Sequence, residues 1–213
     1  GILDYVHMDV WGPTKTASLS GRHWFVTFVD DFSKRLWVYT MKHKHQVLEI
    51  FLSWKKMVEN QTGRKIKVLR SDNGGEYTSD PFYEVCKEEG IVRHFSVKKT
   101  PQQNGVAERM NRTLLEKVRC MLSNSGLAKR FWAEAVTYAC HLINRLPSAA
   151  IEGKTPIEMW SGSPASDYDA LRIFGCPAFF HVTEDSKLDP GQRRLYFWAS
   201  AVESKGSDYG VRR

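Results

Sequence analysis

Leu3-Asp4-Tyr5-Val6-His7-Met8-Asp9-Val10 reads as a short β-strand, stopped by the breaker group Trp11-Gly12-Pro13, with Asp9 at its far end. Outward from it, Trp24 to Val29 and Leu36 to Met41 are rich in β-branched and aromatic residues. The short Asp30-Asp31-Phe32-Ser33 link between them suits an antiparallel hairpin. From His45 to Asn60 the apolar positions Val47, Ile50, Phe51, Trp54, Met57 and Val58 recur at helical spacing, with Gly63 as a stop. Ile66 to Leu69 is a brief strand, and Ser71-Asp72-Asn73-Gly74-Gly75 is the turn that ends it, so Asp72 projects from a strand's carboxyl end.

Pro81 to Glu89 is expected to be helical and Ile91 to Phe95 extended, while Lys98 to Gly105 carries no periodicity. That loop leads into a helix of about five turns marked by Val106, Met110, Leu114, Val118 and Met121, with Asn104 as its expected N-cap. Phe131 to Ile143 repeats the helical pattern until Pro147. The order βββαβαβαα predicts an α/β fold, a five-stranded mixed sheet flanked by helices, over residues 1–150. Residues 151–213 are expected to form a turn-rich C-terminal appendage, opened by a short helix with Thr155-Pro156-Ile157-Glu158 as its capping box.

If the fourth strand pairs with the first, Asp9 and Asp72 become neighbours. Glu108, in the first turn of the helix from Val106, falls roughly 40° beyond the edge of the apolar stripe, where a carboxylate can face the sheet end and stay wet. Three carboxylates within ~4 Å would repel by several kcal/mol per pair at an effective dielectric near 20, so the cluster needs a cation. Oxygen ligands without His or Cys select Mg²⁺ or Mn²⁺, and two such ions ~3.5 to 4 Å apart clamp the attacking and leaving oxygens of a phosphodiester displacement. Each acid alone has a plainer role: Asp9 as a strand-end residue, Asp72 as a turn former, Glu108 as a helix-dipole partner.

Composition agrees with a polyanionic partner: 31 Lys plus Arg against 24 Asp plus Glu give a formal charge of +7, dispersed along the chain of 213 residues. Cys86, Cys120, Cys140 and Cys176 lie far apart, which excludes a zinc knuckle or a small disulfide scaffold. No segment has the ~20 apolar residues of a membrane span, and residues 1–20 lack a secretory pattern, so a soluble intracellular protein is expected. The abrupt opening at Gly1 reads as an excised piece of a longer chain.

The text around the acids is distinctive. His7-Met8-Asp9, Ser71-Asp72-Asn73-Gly74-Gly75-Glu76-Tyr77 and Thr100-Pro101-Gln102-Gln103-Asn104-Gly105-Val106-Ala107-Glu108-Arg109 resemble the integrase core of copia-type LTR retrotransposons, within the retroviral integrase superfamily. The resemblance runs from about residue 3 to 190 and takes in Asn111-Arg112-Thr113-Leu114-Leu115-Glu116, Trp132-Ala133-Glu134-Ala135 and Asn144-Arg145-Leu146-Pro147. The 35 residues between Asp72 and Glu108 match that superfamily's D,D-35-E spacing.

The resemblance implies an RNase H-like fold and a DNA integrase that trims element 3′ ends and joins them to target DNA. Asp9 would bridge two Mg²⁺ or Mn²⁺ ions, with Asp72 and Glu108 each completing one. Its partners would be element-end and target DNA and further copies of itself. Its place would be the nucleus during integration and otherwise a cytoplasmic particle, with no membrane partner and no secretion. Lys98, Lys99, Arg109 and Arg112 are expected phosphate contacts, and Gln102, Gln103, Asn104 and Gly105 belong to a loop suited to close approach of a DNA backbone. A catalytically inactive or domesticated nucleic-acid-binding module of the same fold is the alternative, and a ribonuclease of that fold a third reading. The family's upstream His-His-Cys-Cys module is absent from the sequence. After Leu188-Asp189-Pro190 the match fades into Arg193-Arg194-Leu195-Tyr196-Phe197-Trp198-Ala199-Ser200, as in a truncated or frame-shifted copy.

Overall fold

In the computed structural model the described residues are 1–72, 74, 75, 80–95, 105–181 and 192–196. A sheet of five strands in the order β3-β2-β1-β4-β5 is built from β1 (Tyr5–Trp11), β2 (Trp24–Asp30), β3 (Leu36–Met41), β4 (Val68–Ser71) and β5 (Val92–Phe95). The first three strands run antiparallel, and β4 and β5 continue parallel to β1, so the sheet is mixed as expected.

Side-chain alternation along the strands sorts the core into two halves. Val6 and Met8 of β1 and Val26 and Phe28 of β2 pack with Phe51, Trp54 and Val58 of α1 (Val47–Thr62) and with Phe82 and Cys86 of α2 (Asp80–Glu88). Phe28 lies flat on Trp54, with ring centroids 4.2 Å apart. Phe25 and Val29, on the opposite face of β2, pack with Leu114 and Val118 of α3 (Gly105–Ser125) and Ala135, Val136 and Ala139 of α4 (Trp132–Ile143). Asp9 and Trp11 alternate with Met8 and so share the α3 and α4 face.

Polar groups fix the edges. The buried Asp30 carboxylate accepts from the Leu3 and Ser33 amides and from the Ser33 hydroxyl, closing the β2–β3 turn. At the outer strand β3, the buried Asn144 amide accepts from the Leu36 N–H and donates to the Leu36 carbonyl, both at 2.8 Å, in place of a strand partner.

Beyond residue 150, α5 (Pro156–Ser161) starts at Thr155, whose hydroxyl accepts from the Glu158 amide as the sequence predicts. Trp160 meets Trp37 edge-on at 4.8 Å, Arg145 pairs with Asp167 at 2.6 Å, and the Tyr138 hydroxyl donates to the Arg172 carbonyl. These contacts lash the segment to β3 and α4. One expectation is corrected: two stretches of the turn-rich region are strands, β6 (Pro177–His181) and β7 (Gln192–Tyr196), which pair antiparallel as a separate sheet. Backbone pairing between them overrides the weak periodicity of Arg193-Arg194-Leu195. Asn104 and Pro101 fall outside the described residues.

Candidate active site

The parallel register aligns Val6 with Leu69 and His7 with Arg70, so two more steps along each chain bring Asp9 level with Asp72. Neighbouring strands lie about 4.8 Å apart, which makes these acids neighbours at the carboxyl ends of β1 and β4. Glu108 enters from α3, exposed in its first turn. Asp9 feels both carboxylates: burial, then Asp72 and more weakly Glu108, push its carboxyl up to about 7, against the lowering effect of a hydrogen bond from Asn111.

Asn111, 4% exposed, is held in one orientation because its Oδ1 accepts from the Thr27 hydroxyl at 2.9 Å while its Nδ2 donates to Asp9 Oδ2 at 2.8 Å. Asp72 also plays the turn-forming part, its Oδ1 accepting from the Gly74 amide at 3.0 Å. No ion pair joins Glu108 to Arg112.

The arrangement is looser than a gathering of all three acids within ~4 Å. Among the described residues no group of three His, Cys, Asp or Glu side chains is placed to hold one metal ion. The donor chemistry nevertheless fits a hard divalent ion, since the acids offer only oxygen. Asp9, held in an unfavourable ionisation by its acidic neighbours, is where added positive charge would relieve most strain.

A cleft of about 300 Å³ opens beside these residues, lined by Asp9, Trp11, Glu108, Asn111, Arg112, Leu115 and Arg119. Of the expected nucleic-acid contacts, Arg112 lies in this cleft, and Arg109 lies on the exposed start of α3, its Nη1 3.1 Å from where a Cβ on Gly105 would stand. Gly105 itself is the buried first residue of α3. Lys98, Lys99, Gln102, Gln103 and Asn104 lie outside the described residues. His7 and His94 have structural partners, Asp31 and the Tyr5 hydroxyl, each at 3.1 Å.

Sequence reasoning missed Asn111, Trp11, Leu115 and Arg119. Asn111 was detectable as the one amide in the stripe Ala107, Asn111, Leu114, Val118, a polar group that a buried face must satisfy. Trp11 was assigned to a turn, whereas β1 runs through it and puts it on the face of Asp9.

Residues 3–101 match the family model described as Integrase core domain. The chain is 52% identical over 190 residues to the retrovirus-related Pol polyprotein from transposon TNT 1-94 of Nicotiana tabacum, covering 88% of this chain and 14% of that protein. It is 34% identical over 197 residues to the corresponding polyprotein from transposon RE1 of Arabidopsis thaliana, covering 92% of this chain and 13% of that protein. It thus spans about a seventh of these relatives. Among solved structures it is similar to the HTLV-2 integrase catalytic core in complex with magnesium in its dimeric form, at a TM-score of 0.56 and 20% identity over 75% of this chain and 97% of that one. The BIV integrase catalytic core superposes with a TM-score of 0.53 and 22% identity over 75% of this chain and 94% of that one. The fold is therefore RNase H-like.

Proposed function

This chain belongs to the integrase core family of copia-type retrotransposon Pol polyproteins, and on that premise we propose that it is a metal-dependent polynucleotidyl transferase that trims retroelement DNA ends and joins them to target DNA. The observation that carries this is the parallel register of β1 and β4, which brings Asp9 level with Asp72, with Glu108 of α3 lining the same cleft as Asp9. Asp9 would hold both of two Mg²⁺ or Mn²⁺ ions, Asp72 completing one site and Glu108 the other. That pattern needs two pairs of acids sharing Asp9, and so is compatible with the absence of a three-acid group among the described residues. When bound, such ions lower the pKa of an attacking water or hydroxyl and offset charge on the leaving oxygen.

The chain's own residues prepare the site. The Asn111 Nδ2 fixes the orientation of the Asp9 carboxylate through Oδ2. Burial and the neighbouring acids favour the protonated form of Asp9, so a cation bound there would compete with that proton. Arg112, exposed in the cleft, would receive a DNA phosphate. DNA is the partner, and self-association follows by analogy with the dimeric form of the HTLV-2 core.

The test is an oligonucleotide-joining assay: a labelled duplex carrying the element's terminal sequence is incubated with plasmid and Mn²⁺. Wild-type chain yields joined product, and Asp72→Asn or Glu108→Gln, with unchanged circular dichroism, yields none. Full joining by either variant refutes the assignment. DNA binding without joining by the wild type identifies the inert binding module instead.

A further inference from the structure

Half of the cleft beside Asp9 is not acidic. There the walls are Trp11, Leu115 and Arg119, with Arg112 between them and Glu108. Positions 108, 112, 115 and 119 form one stripe of α3, so the carboxylates sit at one end and a guanidinium at the other. Arg112 and Arg119 are exposed and neither has an ion pair among the described residues. Their seven-residue offset is about 10.5 Å along the helix, a gap that two long, flexible Arg side chains can close onto the phosphates on either side of one nucleotide.

Trp11 is a rigid wall. Its ring stacks on Phe25 with centroids 5.0 Å apart and stands steeply against Trp132 at 6.4 Å, so two aromatic neighbours hold the half-buried ring beside the cleft. Together with Leu115 it gives an apolar surface between a metal-seeking pole and two cations. A space of about 300 Å³ is at the small end of ligand sites, of the order of 300–1,000 Å³, and suits a single nucleotide rather than a duplex segment.

We propose that this cleft binds one unstacked nucleotide of the DNA strand, its base against Trp11 and Leu115 and the adjoining phosphates on Arg112 and Arg119. The ligand class rests on the strand-joining function proposed above. Trp11 is then a stacking platform, and Arg119 is the far anchor that sets the strand's direction away from the carboxylates.

Binding of fluorescein-labelled single-stranded oligonucleotides to the full chain, followed by anisotropy in EDTA, tests this without any turnover. Trp11→Leu weakens binding by about 5- to 150-fold, the range for loss of one base–aromatic stack, and leaves the salt dependence unchanged. Arg119→Ala shallows the slope of log K against log salt by about 0.7, the loss of one single-strand phosphate contact. An abasic residue scanned along the oligonucleotide weakens wild-type binding at one position and has no further effect there on Trp11→Leu. Equal losses in both proteins at every abasic position, or an unchanged slope in Arg119→Ala, overturns the site. Should Trp11→Leu fail to fold, by near-ultraviolet circular dichroism, the Arg119→Ala slope and the wild-type abasic scan decide. Because no cation is present, failure of strand joining leaves these outcomes standing, and joining by a protein that fails them removes the nucleotide site alone.

Discussion

Replacing Asp9 by Asn should stabilise the metal-free protein, and the size of the effect follows from the position of its carboxyl. Asp9 titrates at about 7 in the fold against 3.8 when unperturbed. Between those values the native state keeps a proton that the unfolded chain has released, so this group makes stability fall as pH rises through the window and level off above about 7. About three units at 1.36 kcal/mol each give about 4 kcal/mol, and residual solvent contact reduces this to about 2–4 kcal/mol. Asn resembles the protonated acid and still accepts the Asn111 bond. Asp9→Asn is therefore about 2–4 kcal/mol more stable than wild type at pH 8 in EDTA, a rise of roughly 5–15 °C in Tm for a chain of this size. At pH 4 the advantage shrinks below about 1 kcal/mol, because the wild-type residue is protonated in the fold and the unfolded chain, at a pH within a few tenths of its ordinary value, has released only about half of that proton. Thermal melts at both pH values check this, and adding Mn²⁺ at pH 8 should raise the Tm of wild type but not of Asp9→Asn. An equal difference at pH 4 and pH 8, or none at pH 8, refutes the idea that burial and the neighbouring carboxylates make the fold hold the Asp9 proton.

Asn111→Ala removes a buried amide that serves Asp9 and Thr27, at a cost of about 1–3 kcal/mol in urea titrations, and it moves the Asp9 titration further upward when followed by carboxyl carbon NMR. Asn144→Ala leaves the Leu36 N–H without its side-chain acceptor and its carbonyl with only the Cys140 thiol, costing about 1–3 kcal/mol and speeding amide exchange at Leu36. Arg145→Ala strands Asp167 and unties residues beyond 150 from α4, a loss of about 3 kcal/mol read as faster proteolysis in that segment.

The sheet was legible because its strands announce themselves. Trp24 to Asp30 and Leu36 to Met41 are β-branched and aromatic, and a short polar turn with a buried Asp30 joins them. The long helices were legible through Phe51, Trp54 and Val58, and through Leu114 and Val118, which fill the two sides of the sheet at helical spacing. Asp9 and Asp72 could be paired in advance because parallel pairing of the first and fourth strands follows from the order of elements. The position of Glu108 relative to Asp9 could not be read, since it depends on where α3 docks against the sheet, which no local pattern encodes. Asn111 and Trp11 escaped for a related reason: each looks ordinary in sequence and gains its role only when β1 and α3 pack together. The hairpin of β6 and β7 was hidden because its strands owe their state to each other rather than to alternation.

The most direct test of the account is anomalous diffraction from crystals of this chain soaked in Mn²⁺. The account requires density for an ion coordinated by both Asp9 and Asp72, and an ion there that disappears in Asp72→Asn. Clear density for both side chains at saturating Mn²⁺, with no ion between them, would contradict it.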